Sequence, residues 1–285
     1  MKVLVLGASG MLGHMVIRVL SKDPALEVVG TLRGSGASCG FGAAGNRAQL
    51  VTGVDAEQPD ALIRVFARVR PQAVINCVGL VKQLDGGRDP AQALPINALL
   101  PHRLAELCRT ADSRLIHIST DCVFSGKKGH YVETDFADAD DLYGRSKLLG
   151  EVDYPHAITL RTSIVGPEPA GNRGLLGWFL SQNGSVKGYR RAIFTGLSTV
   201  EIATVMRDVV LPRPQLRGIY HVASNPINKF ELLKLFAAAY GKTTEIRPDD
   251  ELVIDRSLNG KRFEESTGYS APPWPDLVRR MHDFG

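Results

Sequence analysis

The sequence predicts an α/β fold: a parallel, doubly wound sheet with a smaller C-terminal lobe. Three observations predict it. Short apolar runs alternate with longer segments of helical spacing through the first 165 residues. Those runs lack the in–out alternation of a half-solvated strand, as strands covered on both faces should. A glycine-rich turn falls between the first run and the first helical segment. Strands alternating with helices are the pattern of a parallel sheet with crossover helices.

Each element follows in order. KVLVLGA reads as a buried central strand, and MLGHMVIRVLSKD as the helix after it. LEVVGTLR is a second strand. Residues 34–47 are rich in Gly, Ala and Ser and read as a loop. QLVTGVD is a third strand, and PDALIRVFARVR a helix opened by Pro59-Asp60. PQAVINCVG is a fourth strand. ALPINALLPHRLAELCRTA is a helix that Pro101 is expected to kink. SRLIHIST is a fifth strand, LYGRSKLLGEVDY a helix and AITLRTSIVG a sixth strand. Beyond Gly166 the pattern loosens. NRGLLGWFLSQNG, STVEIATVMRDVVL and NKFELLKLFAAAYG read as helices, and GIYHVAS as a strand. The expected division is a first domain at 1–165, with 195–222 returning to it, and a lobe made of 166–194 and 223–285.

Composition excludes several classes. Charged residues are 22% and the hydrophobic set 44%, an ordinary globular balance. A net charge of +4 is too small to argue for nucleic acid. Cys39, Cys77, Cys108 and Cys122 form no C-x-x-C pair, and no His cluster accompanies them, so neither a metal site nor a disulfide framework is expected. No apolar run of about 18 residues occurs, so no membrane span is expected, and a reducing cytoplasm is the expected compartment.

The glycine turn is Gly7-Ala8-Ser9-Gly10-Met11-Leu12-Gly13, a G-x-x-G-x-x-G spacing. Glycine there permits a tight turn and close backbone approach to a pyrophosphate, which the helix N-terminus then holds with free N–H groups. Gly7, Ser9, Gly10, Met11, Leu12 and Gly13 are therefore candidate dinucleotide contacts. An acidic residue at the end of the second strand would favour NAD. Thr31-Leu32-Arg33 stands there instead. Arg33 could pair with a 2′-phosphate, with Thr31 or Ser35 adding hydrogen bonds, so NADP(H) is expected over NAD(H). Asp55, after the third strand, could take the adenine amino group or simply cap a turn.

Tyr143 and Lys147 lie four residues apart on one helix face, and Thr120 ends the preceding strand. A free Tyr holds its proton to a pH of about 10, and a nearby ammonium makes it a better acid–base catalyst. A hydroxyl at a strand's carboxyl end can hydrogen-bond a substrate carbonyl. The ordered set of VLGASGMLG, VINCVG, PINALLPHRLAELC, ISTDCVFSGKKGHYVETD, LYGRSKLLGE and LRTSIVG resembles the extended short-chain dehydrogenase/reductase family. Within it, the sequence looks most like the dTDP-4-dehydrorhamnose reductases and related nucleotide-sugar reductases. That resemblance implies a Rossmann-type domain with a substrate lobe. It implies that Tyr143 protonates the carbonyl oxygen, Lys147 binds the nicotinamide ribose and tunes Tyr143, and Thr120 orients the carbonyl. Cys77, Val78, Gly79 and Ser119 would line the cofactor, and Asn97 would support the site from its helix. A homodimer is a family-level expectation.

The sequence departs from the family pattern at Cys122, where an aromatic is usual, at DADDL before Tyr143, and at GLVKQLDGG, which places Lys82 near the expected substrate mouth. A nucleoside diphosphate needs cations and a stacking face. Lys82, Asp121, Arg190, Arg191 and Arg256 are the candidate substrate contacts, with Arg262 a further cation and Trp178, Tyr189 and Trp274 as platforms or packing residues. The implied activity is NADPH-dependent reduction of a nucleotide-linked 4-keto-6-deoxy sugar. Two alternatives stay open: a nucleotide-sugar epimerase with bound cofactor, and a non-catalytic NADP-binding regulatory subunit.

Overall fold

The structure, a computed structural model, describes residues 1–34, 47–81 and 85–285. The first half runs β1 (Lys2–Leu6), α1 (Met11–Leu20), β2 (Glu27–Thr31), β3 (Gln49–Val51), α2 (Pro59–Val69), β4 (Ala73–Asn76), α3 (Leu100–Thr110), β5 (Arg114–Thr120), α4 (Leu142–Leu149) and β6 (Ala157–Thr162). The second half adds β7 (Ile164–Val165), α5 (Leu175–Ser181), β8 (Ser185–Tyr189), β9 (Ala192–Phe194), β10 (Leu197–Ser198), α6 (Thr199–Val205), β11 (Gly218–His221), β12 (Ile227–Asn228), α7 (Lys229–Tyr240), β13 (Glu245–Asp249), β14 (Ile254–Asp255), α8 (Lys261–Thr267) and α9 (Trp274–Phe284).

Seven strands form the central sheet in the order β11-β6-β5-β4-β1-β2-β3, every pairing parallel. The continuous apolar runs have their reason in this sheet, which is covered on both faces. Val3 and Val5 of β1 join one core with Met15 and Ile17 of α1 and Ile202 of α6. Leu4 and Leu6, pointing the other way, join Leu62 and Phe66 of α2 and Leu104 of α3. The first of these cores continues into the lobe through Phe179, Leu232 and Phe236. The seventh strand, β11, comes from the segment 195–222 and pairs with β6. The lobe itself carries small sheets, β13 beside β8 and β12-β9-β14.

The helix through Pro101 is not simply kinked. It widens into a π-type turn at Leu94–Leu99 before α3 begins. Proline has no N–H to give the carbonyl four residues back, and that carbonyl is Asn97's. The wide turn presents it instead to Gly150, where an added Cβ would sit 2.0 Å from the Asn97 oxygen. Only glycine allows the end of α4 to pass so close.

β1 has β2 on one side and β4 on the other. The connections therefore leave in opposite directions, which opens a crevice at the carboxyl ends of these strands.

Candidate active site

The glycine turn lies at that crevice. Gly7 has φ +79°, and a Cβ there would meet the Cys77 carbonyl carbon at 3.2 Å and Val78 Cγ2 at 3.1 Å. At Gly13 a Cβ would sit 2.1 Å from the Gly7 oxygen. The chain doubles back tightly, with Gly10 N–H donating to Gly7 O at 3.0 Å. Gly10 caps α1 with no side-chain bond, so the first N–H groups of α1 face the crevice with the positive end of the helix dipole. Ser9 and Gly10 are exposed, Met11 half-buried and Leu12 buried. The donors of this cradle are backbone N–H groups, which suit a pyrophosphate, and a side chain at Gly13 would push the turn off the helix that holds it.

Thr31 is buried at the end of β2, and its carbonyl accepts from Ala8 N at 3.1 Å. Arg33 is exposed beside it. Asp55 Oδ1 accepts from Glu57 N at 3.0 Å, which is the turn-capping role. Ser35 and Lys82 lie outside the described residues.

Cys77, Val78 and Gly79 follow β4; Cys77 and Val78 face the glycine turn, and Gly79 lies against Asn97. Burial pushes the Cys77 thiol up to about 12, so it is an inert packing group. Asn97 uses its whole amide on the protein. Its Oδ1 accepts from Leu80 N at 2.9 Å, and its Nδ2 donates to Leu80 O at 2.9 Å and Ser146 Oγ at 3.1 Å. It ties the loop after β4 to α4. Ser119 donates to Glu151 Oε1 at 2.6 Å.

Thr120, Tyr143 and Lys147 meet at the carboxyl end of β5. Asp141 starts α4 by accepting from Gly144 N, and Gly144 lets the helix press on Cys122, where a Cβ would lie 2.2 Å from the Cys122 oxygen. This close docking sets Tyr143 beside Thr120. The Thr120 hydroxyl donates to Asp121 Oδ1 at 3.1 Å and accepts from Cys122 N at 3.1 Å. Burial, then the neighbouring Cys122, raises the Tyr143 phenol, and a hydrogen bond with Thr120 works against that. Tyr143 therefore holds its proton at neutral pH. Lys147 is 4% exposed and donates to Ile118 O at 2.7 Å. Burial lowers it to about 8, while Glu151 and Cys77 oppose the shift. Tyr143 answers to burial, Cys122, Thr120, Asp121 and Asp141 rather than to Lys147.

Beside this trio a cavity of about 420 Å³ opens toward the lobe. Asp121, Cys122 and Ser163 form its floor, and Arg173, Trp178, Lys229 and Arg256 are among the residues of its walls. Arg256 Nε donates to Phe124 O at 2.9 Å, and its NH1 lies 3.6 Å from Cys122 Sγ. Lys229 Nζ sits 3.6 Å above the Phe194 ring. Burial raises the Asp121 carboxyl, and Arg256 and Lys229 draw it back.

Of the predicted substrate contacts, Asp121 and Arg256 line this cavity. Arg190 does not: it is exposed and paired with Asp250. Arg191 is exposed outside the cavity wall, and Arg262 lies over the Tyr220 ring. Trp274 is core, packed on Phe194 and donating to Asn225 O at 2.7 Å. Sequence reasoning missed Arg173 and Lys229. Arg173 sits in the GNRG turn before α5, and Lys229 opens α7; only their convergence in space marks them.

The chain matches the RmlD substrate binding domain over residues 1–274. It is 30% identical to methionine adenosyltransferase 2 subunit beta of Mus musculus, over 97% of this chain and 88% of that protein. It is 25% identical to a dTDP-4-dehydrorhamnose reductase of Aggregatibacter actinomycetemcomitans, over 79% of this chain and 74% of that one. A hypothetical dTDP-4-dehydrorhamnose reductase from Sulfolobus tokodaii, a solved structure, superposes with a TM-score of 0.77 at 26% identity, covering 96% of this chain and 98% of its own.

Proposed function

Because the chain belongs to the RmlD substrate binding domain family, we propose that it is an NADPH-dependent reductase of a nucleotide-linked 4-keto-6-deoxy sugar. The observation that carries the proposal is the meeting of Thr120, Tyr143 and Lys147 between a dinucleotide cradle and a cation-lined cavity. When bound, the nicotinamide supplies the hydride. Gly7, Gly10 and Gly13 with the N-terminus of α1 would hold the pyrophosphate, and Arg33 would pair with the 2′-phosphate. Lys147, which bonds Ile118 O, would hold the ribose hydroxyls. The substrate carbonyl enters beside Thr120, whose hydroxyl turns from Asp121 toward it. Tyr143, still protonated at neutral pH, gives its proton to the oxygen as negative charge develops there. The three cations of the cavity, Arg173, Lys229 and Arg256, receive the diphosphate, with Trp178 as an apolar wall.

A second reading, a binding subunit of another enzyme, is favoured by the likeness to methionine adenosyltransferase 2 subunit beta over nearly the whole chain. One experiment separates the two. NADPH oxidation is followed with enzymatically generated nucleotide 4-keto sugars, and the Tyr143→Phe protein is run alongside. A reductase oxidises NADPH only with a sugar present, and Tyr143→Phe lowers turnover about 10²–10⁴-fold while NADPH still binds. NADPH binding with no turnover on any keto sugar would favour the subunit reading.

A further inference from the structure

Behind the catalytic trio lies a buried ionic chain that the reaction above does not use. Glu151 is one turn beyond Lys147, just past the glycine that ends α4. Its side chain is 3% exposed, and its partner Arg161, on β6, is 4% exposed. The pair is bidentate, with Arg161 Nε 2.8 Å from Oε1 and NH2 2.7 Å from Oε2. Ser119 adds a third bond to Oε1 at 2.6 Å. Arg161 NH1 lies 3.2 Å from His221 Nε2. A guanidinium only donates, so Nε2 accepts and the imidazole proton sits on Nδ1, which donates to Tyr131 O at 3.1 Å. The imidazole is neutral: burial, then Arg161, pushes it down to about 3.

A fully buried ion pair is a poor stability device, since desolvation cancels most of its attraction. Its placement gives it another use. We propose that Glu151 is a positioning residue for Lys147: clamped by Arg161 and Ser119, its carboxylate is the buried counter-charge that keeps the Lys147 ammonium charged at the ribose site. Lys147 Nζ bonds Ile118 O, and the neighbouring Ser119 Oγ bonds Glu151 Oε1, so adjacent residues of β5 hold the two side chains side by side. The titratable and charged groups around Lys147 are Glu151 on its own segment with Arg161 of β6 bound to it, Cys77 after β4, His117 on β5 and Tyr143 one turn back. Burial keeps the Cys77 thiol and the His117 imidazole neutral, and Tyr143 holds its proton. Glu151 is the anion among them. The clamp also fixes where that anion stands, because three donors from β5 and β6 leave its carboxylate no other rotamer to satisfy them.

The significance of this proposal rests on the reductase reading, but its test needs neither substrate nor cofactor. The full-length protein is labelled with ¹³Cε-lysine and titrated by NMR, with Lys147→Met identifying the Lys147 resonance. The wild-type midpoint is expected at about 8. Glu151→Gln lowers it by about one pH unit, and Glu151→Asp, which keeps the charge, restores it. Should Glu151→Gln fail to fold because Arg161 is left unpaired, Glu151→Gln/Arg161→Met removes both charges and shows a fall in the same direction, smaller because a cation leaves with the anion. An unmoved midpoint in the neutral variants overturns the proposal, and so does an equal fall in Gln and Asp, which would trace the effect to packing. A fall in a protein that oxidises no NADPH with any sugar would sink the reductase reading and leave the positioning role standing.

Discussion

The two walls of the cleft are made of different material. On the cofactor side the chain offers backbone: a turn with φ +79° at Gly7, N–H groups at the start of α1, and contacts so close that a single methyl would collide. On the substrate side it offers side chains, Arg173, Trp178, Lys229 and Arg256, drawn from three separated segments. A backbone cradle is specified by a few adjacent residues and reads any pyrophosphate. A side-chain wall is specified by tertiary convergence and can be rebuilt one residue at a time. The first should be brittle and the second graded.

Substitutions can break or sharpen that contrast. The largest effect is expected at Gly13→Ala, whose Cβ would lie 2.1 Å from the Gly7 oxygen. Overpacking of about 1–3 kcal/mol should weaken NADPH about 10- to 100-fold in a fluorescence titration. Gly34→Ala, with no atom of the described residues within 4 Å of the added carbon, should leave NADPH affinity unchanged. Equal effects at the two glycines would remove the backbone argument. Next comes Arg256→Ala, which deletes a cavity-lining guanidinium. The KM for the keto sugar should rise about tenfold with NADPH affinity intact, whereas Arg190→Ala, paired with Asp250 on the surface, should stay within about twofold. A larger rise at Arg190 would mean that the lobe closes on substrate in a different arrangement. The smallest effect is expected at the exposed Arg33. Arg33→Ala should weaken NADPH about fivefold and NADH hardly at all. An equal loss for both would detach Arg33 from the 2′-phosphate.

The same contrast explains what could be read in the sequence. The glycine turn, the strands β1, β2, β4, β5 and β6, and the Tyr143/Lys147 spacing are local patterns, and each lies where its residues predict. Arg256 was reachable because it stands in a conspicuous polar run. Arg190 looked equally good, because nothing in GYRRAIFTG shows that Asp250, sixty residues away, takes its guanidinium. Asn97 was expected to support the site, but its means of doing so, an amide shared between Leu80 and Ser146, depends on a π-type turn that helical periodicity hides. Glu151 is visible in LYGRSKLLGE, yet its clamp needs β5 and β6 side by side.

That π-type turn has a consequence for how this chain can change. A π turn holds one residue more than an α turn, so Leu94–Leu99 is a stored insertion. Losing one residue there would restore a regular helix and swing everything on one side of the deletion by about 100° relative to the other. Asn97 would leave Leu80, and the carbonyl pressed against Gly150 would point elsewhere. Substitutions along this segment alter single contacts, but a deletion of one residue resets the register of the whole support. Lineages descended from such a chain should therefore vary in letters here and not in length.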